Sequence, residues 1–513
     1  MSQAETVAEL LKAGAGGAVA IAAPGRPPLT HGALRRHVQA VVERLNGLGI
    51  GRGDRVAIVL PNGPEMAVSF LAVAAGATTA PLNPAYREDE FEFYLSDLKA
   101  RALIVMEGEA EAAVAVARRH GAAVLRLRVP EGAPAGLFEL EAEGDAGPAP
   151  AARGGLAEAG DTALVLHTSG TTSRPKIVPL SQANICASAA GIAGTLRLKP
   201  DDRCLNIMPL FHIHGLMAAT LSSMAAGASV CCTPGFNALR FFAWLEEARP
   251  TWYTAVPTMH QAILARAERN PQAVAAARLR FIRSSSSSLP PQVMKALEET
   301  FACPVIESYG MTEASHQMTS NPLPPAARKA GSVGIAAGPA VRVADQENAF
   351  LAAGEEGEVV ISGPGVTRGY EANEEANAKS FFEAEGQRWF RTGDQGRLDE
   401  EGYLRLTGRL KEIINRGGEK VSPLEVDEVL MDHPSLRQVV TFAMPHEKLG
   451  EEVAAAVVLR EGMSATEQEI RAFAATRLAD FKVPRRILVL DEIPKGATGK
   501  LQRIGLAQKL GLG

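Results

Sequence analysis

An apolar run, Ala163 to Leu166, breaks off into nine residues rich in hydroxyl side chains, with one glycine and two cations: Thr168-Ser169-Gly170-Thr171-Thr172-Ser173-Arg174-Pro175-Lys176. The run reads as a buried strand. The loop after it can turn successive backbone N–H groups around an anion, with hydroxyl donors and the charges of Arg174 and Lys176 in support. That chemistry suits a polyphosphate. It is not a Walker A loop: counting from Gly170, Pro175 stands where the second glycine belongs, and Ile177 follows the lysine. Taken alone, the nonapeptide also fits a polar surface turn.

The segments around this loop alternate between strand and helix patterns. Arg55–Leu60, Thr78–Leu82, Ile104–Met106, Cys204–Met208, Ser229–Cys232, Trp252–Val256, Arg280–Arg283 and Val305–Ser308 are short apolar runs. Between them, 33–48, 65–76, 215–226, 238–248, 258–267 and 291–300 carry helical patterns. Strands separated by helices predict an α/β fold, a large N-terminal domain with helix-covered parallel sheets. Gly132–Gly155, rich in Pro, Gly, Ala and Glu, reads as a surface connection. From about 335 to 409, short β runs between glycines predict a small β-rich subdomain. The expected boundaries are 1–409 for the large domain and 410–513 for a small, mobile α+β C-terminal domain. In the latter, Ser422-Pro423-Leu424-Glu425 reads as a capping box with Pro at the first helical position.

At 513 residues with a net charge of −5, the chain has no long basic run, which argues against a nucleic-acid partner. Its longest apolar stretches fall short of the ~20 residues a membrane span needs. The acidic N-terminus is unlike a signal peptide, and Gly-Leu-Gly at the other end is unlike a peroxisomal address. A cytoplasmic location is the expectation; the sequence is silent on oligomeric state. Five cysteines without a C-x-x-C pair predict buried free thiols rather than disulfides or zinc.

The loop and six further stretches, in this order, resemble the acyl-adenylate-forming superfamily of acyl- and aryl-CoA ligases, peptide-synthetase adenylation domains and beetle luciferases. The others are LAVAAGATTAPLNPAY (71–86), PLFHIHG (209–215), ESYGMTE (307–313), RTGD (391–394), GRLKEIINRGGEKVSP (408–423) and PKGATGK (494–500). The resemblance implies an ATP-dependent, AMP-forming acid–CoA ligase that makes acyl-AMP and then acyl-CoA, using ATP, Mg²⁺ and coenzyme A.

It also implies roles. Thr168, Ser169, Gly170, Thr171, Thr172 and Lys176 would hold the phosphates. Glu307, Ser308, Tyr309, Gly310 and Met311 would form the adenine site, with Tyr309 as the flat ring. Glu313 would be the Mg²⁺ ligand, a hard carboxylate for a hard cation, with Thr312 beside it. Asp394, in a Thr-Gly-Asp turn, and Arg409 would take the ribose. Lys500 would offset the repulsion between the substrate carboxylate and the triphosphate. Lys411 would be the hinge about which the C-terminal domain rotates between half-reactions. Gly417 and Gly418 would line the thiol tunnel, and also suit a tight turn. His212 would gate the acyl pocket; with no further ligands nearby, His212 and His214 do not read as a metal pair.

The pocket motifs carry polar groups: His214, Ser286 within Ser284–Ser288 after the Phe281–Arg283 strand, and His316. These suit a small acid with a second carboxylate. The wording of FHIHG, RFIRSSSSSL and SYGMTEASHQMTSNPLPP is similar to the oxalate–CoA ligase group. The alternatives are a ligase for malonate or another short acid, a carrier-protein-loading adenylation enzyme, and a luciferase-like oxygenase.

Overall fold

In a computed structural model, the structure describes residues 4–144, 150–168, 175–494 and 501–512. The chain forms two units: Met1–Leu289 with Val293–Ala340 and Ser362–Phe381, and Pro290–Gln292 with Val341–Ile361 and Phe382–Gly513.

The first unit contains two helix-flanked sheets. The smaller has seven strands in the order Glu139–Ala142, Ala123–Arg128, Ala102–Met106, Arg55–Val59, Thr78–Pro81, Thr162–Thr168 and Lys176–Ser181. Its middle is parallel and both edges are antiparallel. The edge strand Glu139–Ala142 lies inside the stretch expected to be a surface connection; its alternating burial follows its pairing with Ala123–Arg128. The last two strands pair antiparallel, Thr168 opposite Lys176, so they bring the two ends of the opening loop together.

The larger sheet has nine strands, in the order Ile335–Ala336, His316–Ser320, Val305–Met311, Phe281–Ser284, Trp252–Ala255, Arg203–Asn206, Ser229–Cys232, Val19–Ala22 and Leu29–Thr30. The run from Val305–Met311 to Val19–Ala22 is parallel. Its core packs Phe241, Trp244, Tyr253 and Ile282 against Leu297 and Val305. The flanking helices follow their apolar spacing. His31–Gly47 buries Leu34, Val38, Val41, Val42 and Leu45, and Thr30 caps it by accepting from the Ala33 N–H at 3.3 Å.

Two further expected elements differ. The helix expected over 215–226 is π-helical from His214 to Leu221 before four α-helical residues. Thr220, Ser222 and Ser223 donate back to the carbonyls of Gly215, Ala218 and Ala219, competing with the regular ladder. Such wide turns cluster at functional positions. The strand expected to end at Ser308 continues to Met311, because Ser308–Met311 pairs antiparallel with His316–Ser320.

The second unit carries two further sheets. In one, the long strand Gln387–Leu398 pairs with Gly357–Ser362 and Leu404–Arg409. In the other, Leu436–His446 and Gly450–Leu459 form a long hairpin joined by Ile414–Arg416, Glu419–Val421 and Arg486–Val489. Its helix Pro423–Met431 starts as expected, with Ser422 accepting from the Glu425 N–H at 3.3 Å. The Glu425 carboxylate does not return to the cap; both its oxygens accept from Lys482 at 2.7 Å. All five cysteines are buried and free. No helix among the described residues is long and apolar enough to cross a membrane.

Candidate functional site

In the first unit, the expected nucleotide residues gather around the end of strand Val305–Met311. Glu307 is buried, and its Oε1 accepts from the Leu289 N–H at 2.9 Å. Ser308 bonds to the Ser320 hydroxyl at 2.9 Å and accepts at its carbonyl from Ser285. Tyr309 and Met311 are half-buried. Gly310 is required by packing: a Cβ there would lie 1.5 Å from the His316 carbonyl oxygen. Thr312–Ala314 forms one tight turn, after which Ser315 (φ 50°) and His316 (φ 96°) take left-handed backbone conformations. Strain of this kind is held by its surroundings and gathers at ligand sites.

The Glu313 side chain is buried, and its Oε1 accepts from the Tyr370 hydroxyl at 2.8 Å. Burial, then the charge of Glu313, pushes the Tyr370 phenol up, so it remains a donor. Lys176 Nζ lies 4.3 Å over the Tyr370 ring. Tyr370 thus joins a cation at the end of the opening loop to a carboxylate after the adenine motif. Sequence reasoning missed it, since nothing in Arg368-Gly369-Tyr370 announces a partner 57 residues away. Ser169, Gly170, Thr171, Thr172 and Lys500 lie outside the described residues.

A single buried carboxylate fits Mg²⁺, which keeps several waters and shares its remaining positions with substrate phosphates. Among the described residues there is no cluster of three or more His, Cys, Asp or Glu side chains suited to a self-contained metal cage.

A second cluster draws on three strands of the larger sheet, Trp252–Ala255, Phe281–Ser284 and His316–Ser320, and on the π-helical stretch. His214 opens the π-helical stretch and is fully buried. Its Nδ1 is 3.0 Å from Ser286 Oγ and its Nε2 is 2.6 Å from Thr254 Oγ1. Its ring stacks on that of His316, with centroids 5.0 Å apart. The His212 Nδ1 accepts from the His214 N–H at 3.3 Å. Ser286 has a φ of 75°. The expected acyl-pocket residues His214, Ser286 and His316 are therefore brought together.

Beneath them is Arg283, fully buried. Its Nη1 lies 3.4 Å from both His214 Nε2 and Thr254 Oγ1, and its Nη2 donates to Gln317 Oε1 at 3.2 Å. Its Nε has no hydrogen-bond partner. Burial pushes the guanidinium down to about 9, which leaves it charged at neutral pH. Thr254, Arg283 and Gln317 were missed as individual site residues. The available signal was an arginine inside an otherwise apolar strand, Phe281-Ile282-Arg283.

In the second unit, Asp394 is not in a turn. It lies on the long strand opposite Arg409, in a bulge where Gly393 takes φ 73°. Its Oδ1 accepts from Arg409 Nε at 2.8 Å. The extra residues bend the strand and re-aim its side chains. Lys411 is exposed in the turn that follows. Gly417 and Gly418, with φ of 60° and 101°, close the hairpin between Arg416 and Glu419, and a Cβ on Gly417 would press on Leu449 at 2.9 Å.

Residues 11–371 match the AMP-binding enzyme family, and residues 425–500 match the AMP-binding enzyme C-terminal domain. The oxalate–CoA ligase of Arabidopsis thaliana is 45% identical over 495 residues, 95% of each chain. The oxalate–CoA ligase of Saccharomyces cerevisiae is 41% identical over 477 residues, 89% of this chain and 87% of that one. ATP-bound MatB from Rhodopseudomonas palustris superposes with a TM-score of 0.87 at 28% identity, covering 98% of both chains.

Proposed function

The chain belongs to the AMP-binding enzyme family and is an ATP-dependent acid–CoA ligase, and from that premise we propose that its acid is oxalate. The observation that carries the proposal is the cluster of buried His214 and His316 with half-buried Ser286, set against the Arg283 guanidinium through His214. A fatty or aromatic acid calls for apolar walls, whereas this arrangement offers donors and a cation to a small anion. Two relatives at 41 and 45% identity that bear the name oxalate–CoA ligase support it.

The chemistry follows in two steps. One oxalate carboxylate attacks the α-phosphorus of ATP, forming oxalyl-AMP and releasing pyrophosphate. The CoA thiolate then attacks the oxalyl carbonyl carbon, and AMP leaves. Glu313, fixed by Tyr370, would hold Mg²⁺, which when bound would neutralise phosphate charge. Thr168 and Lys176 stand at the mouth of the phosphate loop; Thr312 faces the reacting groups. Glu307 to Met311 shape the adenine site and Tyr309 stacks on the base. Asp394 and Arg409 take the ribose hydroxyls. Lys500 offsets the charge of the approaching carboxylate. His212 gates the thiol's approach, with Gly417 and Gly418 leaving room for the pantetheine arm and Lys411 absorbing the backbone change between half-reactions. The domain limits 1–409 and 410–513 belong to the same proposal.

Pyrophosphate release with ATP, Mg²⁺ and CoA tests the acid. Oxalate is expected to be fastest among oxalate, malonate, acetate, octanoate and coumarate. A wide margin for octanoate or coumarate contradicts the reading.

A further inference from the structure

Arg283 is a buried cation that meets no anion among the described residues. Among the described residues it forms no ion pair with a carboxylate, its neighbours are neutral side chains at 3.2 to 3.4 Å, and its Nε is unsatisfied. An ionised group in this position is expensive to keep, since several kcal/mol of hydration are lost without a matched charge in return. Three residues earlier on the same stretch, Arg280 is paired with a buried carboxylate, so the fold can match such charges where it does.

The guanidinium also dictates the direction of every hydrogen bond around it. Its nitrogens only donate. Toward it, His214 Nε2 and Gln317 Oε1 must therefore be acceptors. The Gln317 amide nitrogen is then turned to Ala337 O at 3.0 Å and Thr195 Oγ1 at 3.3 Å, both of which can accept. For His214 the consequence is a neutral ring with its proton on Nδ1, donated to Ser286 Oγ at 3.0 Å. Thr254 Oγ1 can accept from Nη1 at 3.4 Å, which leaves its own O–H to donate to the same Nε2 at 2.6 Å, in agreement. With its oxygen accepting from His214, Ser286 has its own O–H to give to an anion. Its left-handed φ of 75° holds it at the start of an exposed loop, while Arg283 stays buried.

We propose that Arg283 is the specificity-determining residue of the acyl site: it selects a dianionic acid by charge, and by fixing the His214 tautomer it makes Ser286 a donor to the carboxylate that does not react. The inference rests on the oxalate reading. Arg283 is a positioning residue, acting through His214 and Ser286 and through its field. A monoanion of the same size, such as glyoxylate, gains little from it, because it carries no second negative charge. Oxalate gains both the charge and the oriented donor.

The test compares oxalate with glyoxylate in pyrophosphate release by wild type, Arg283→Met and Arg283→Lys. In Arg283→Met, kcat/KM for oxalate is expected to fall about 100-fold, mostly through KM. For glyoxylate it should change less than about threefold, and KM for ATP should stay put. Arg283→Lys, which keeps the charge but not the planar fork, should recover about tenfold of the loss. The melting temperature of Arg283→Met should equal or exceed that of wild type, since a well-packed methionine removes an unmatched buried charge. A purely structural arginine predicts the opposite: a lower melting temperature and parallel loss of both substrates. That result, or an unchanged oxalate-to-glyoxylate ratio in a wild type that turns over oxalate, overturns this inference alone. A wild type indifferent to oxalate overturns the substrate reading and this inference with it.

Discussion

Two arginines three residues apart, at opposite ends of one strand, use charge in different ways. At the entry of Phe281–Ser284, Arg280 donates to both oxygens of Asp202 at 2.8 and 2.7 Å, and Thr251 and the Lys199 N–H complete that carboxylate's partners. Toward the exit, Arg283 is buried more deeply and, among the described residues, meets neutral groups. The exit is the carboxyl end of a parallel sheet, the side on which such folds place their ligands. Matched charge at one end ties strands and loops together. Unmatched charge at the other is a cost to stability that makes sense when a ligand supplies the partner.

The difference can be sharpened by removing each charge in turn. The largest effect on substrate choice belongs to Arg283→Met, with its loss of oxalate selectivity at undiminished stability. Next comes the carboxylate Glu313, whose described partner is the neutral Tyr370 hydroxyl. Tyr370→Phe is expected to slow adenylate formation about tenfold and to raise the Mg²⁺ concentration at half-maximal rate, as loss of a ligand's supporting hydrogen bond does. The oxalate-to-glyoxylate ratio should not move. An unaltered Mg²⁺ dependence would remove Tyr370 from the site.

A smaller effect is expected of Arg280→Ala. It should cost about 1–2 kcal/mol of stability in urea unfolding, because the guanidinium is partly exposed and screened, and should leave the substrate ratio alone. A shift in substrate ratio as large as that of Arg283→Met would erase the contrast between the two ends. The smallest effect is its pH dependence. Burial by itself raises the Asp202 carboxyl, but hydrogen bonds from Arg280, Thr251 and Lys199 outweigh it and hold the group below the usual carboxylate range. A depressed carboxyl stabilises the fold above its unfolded pKa of about 4 and loses that contribution as pH falls through the folded value. The stability gap between wild type and Arg280→Ala should therefore be full at neutral pH and narrow on acidification below about pH 4. A gap that widens there would contradict the pairing.

The sheet strands were legible because short apolar runs between turn residues leave little alternative: Ser229–Cys232 has the limits expected of it. What escaped was set by pairing. Tyr309 to Met311 became strand because His316–Ser320 returned alongside, and Asp394 left its expected turn because Leu404–Arg409 paired with it. The candidate site shows the same division. His214, Ser286 and His316 could be singled out as polar residues in pocket stretches. Arg283, Thr254 and Gln317 could not, because their meaning arises only when the sheet sets Trp252–Ala255 beside Phe281–Ser284, with His316–Ser320 one strand further on, and the π-helical stretch brings His214 to them within hydrogen-bond reach. A lone arginine on a strand usually denotes a solvent-facing edge, and the apolar Phe281-Ile282 before Arg283 was the one sequence sign of its burial.

The central claim, a buried cation awaiting its counter-charge, is tested most directly by ligand-linked stability. Wild type and Arg283→Met are melted with and without oxalate in the presence of a non-hydrolysable ATP analogue and Mg²⁺, with acetate as the monoanion control. Oxalate at a hundred times its wild-type dissociation constant should stabilise wild type by about 2.7 kcal/mol, acetate should do far less, and Arg283→Met should gain no more than about 0.4 kcal/mol from oxalate while melting no lower than unliganded wild type. Equal stabilisation of both proteins by oxalate would show that Arg283 does not read the second carboxylate.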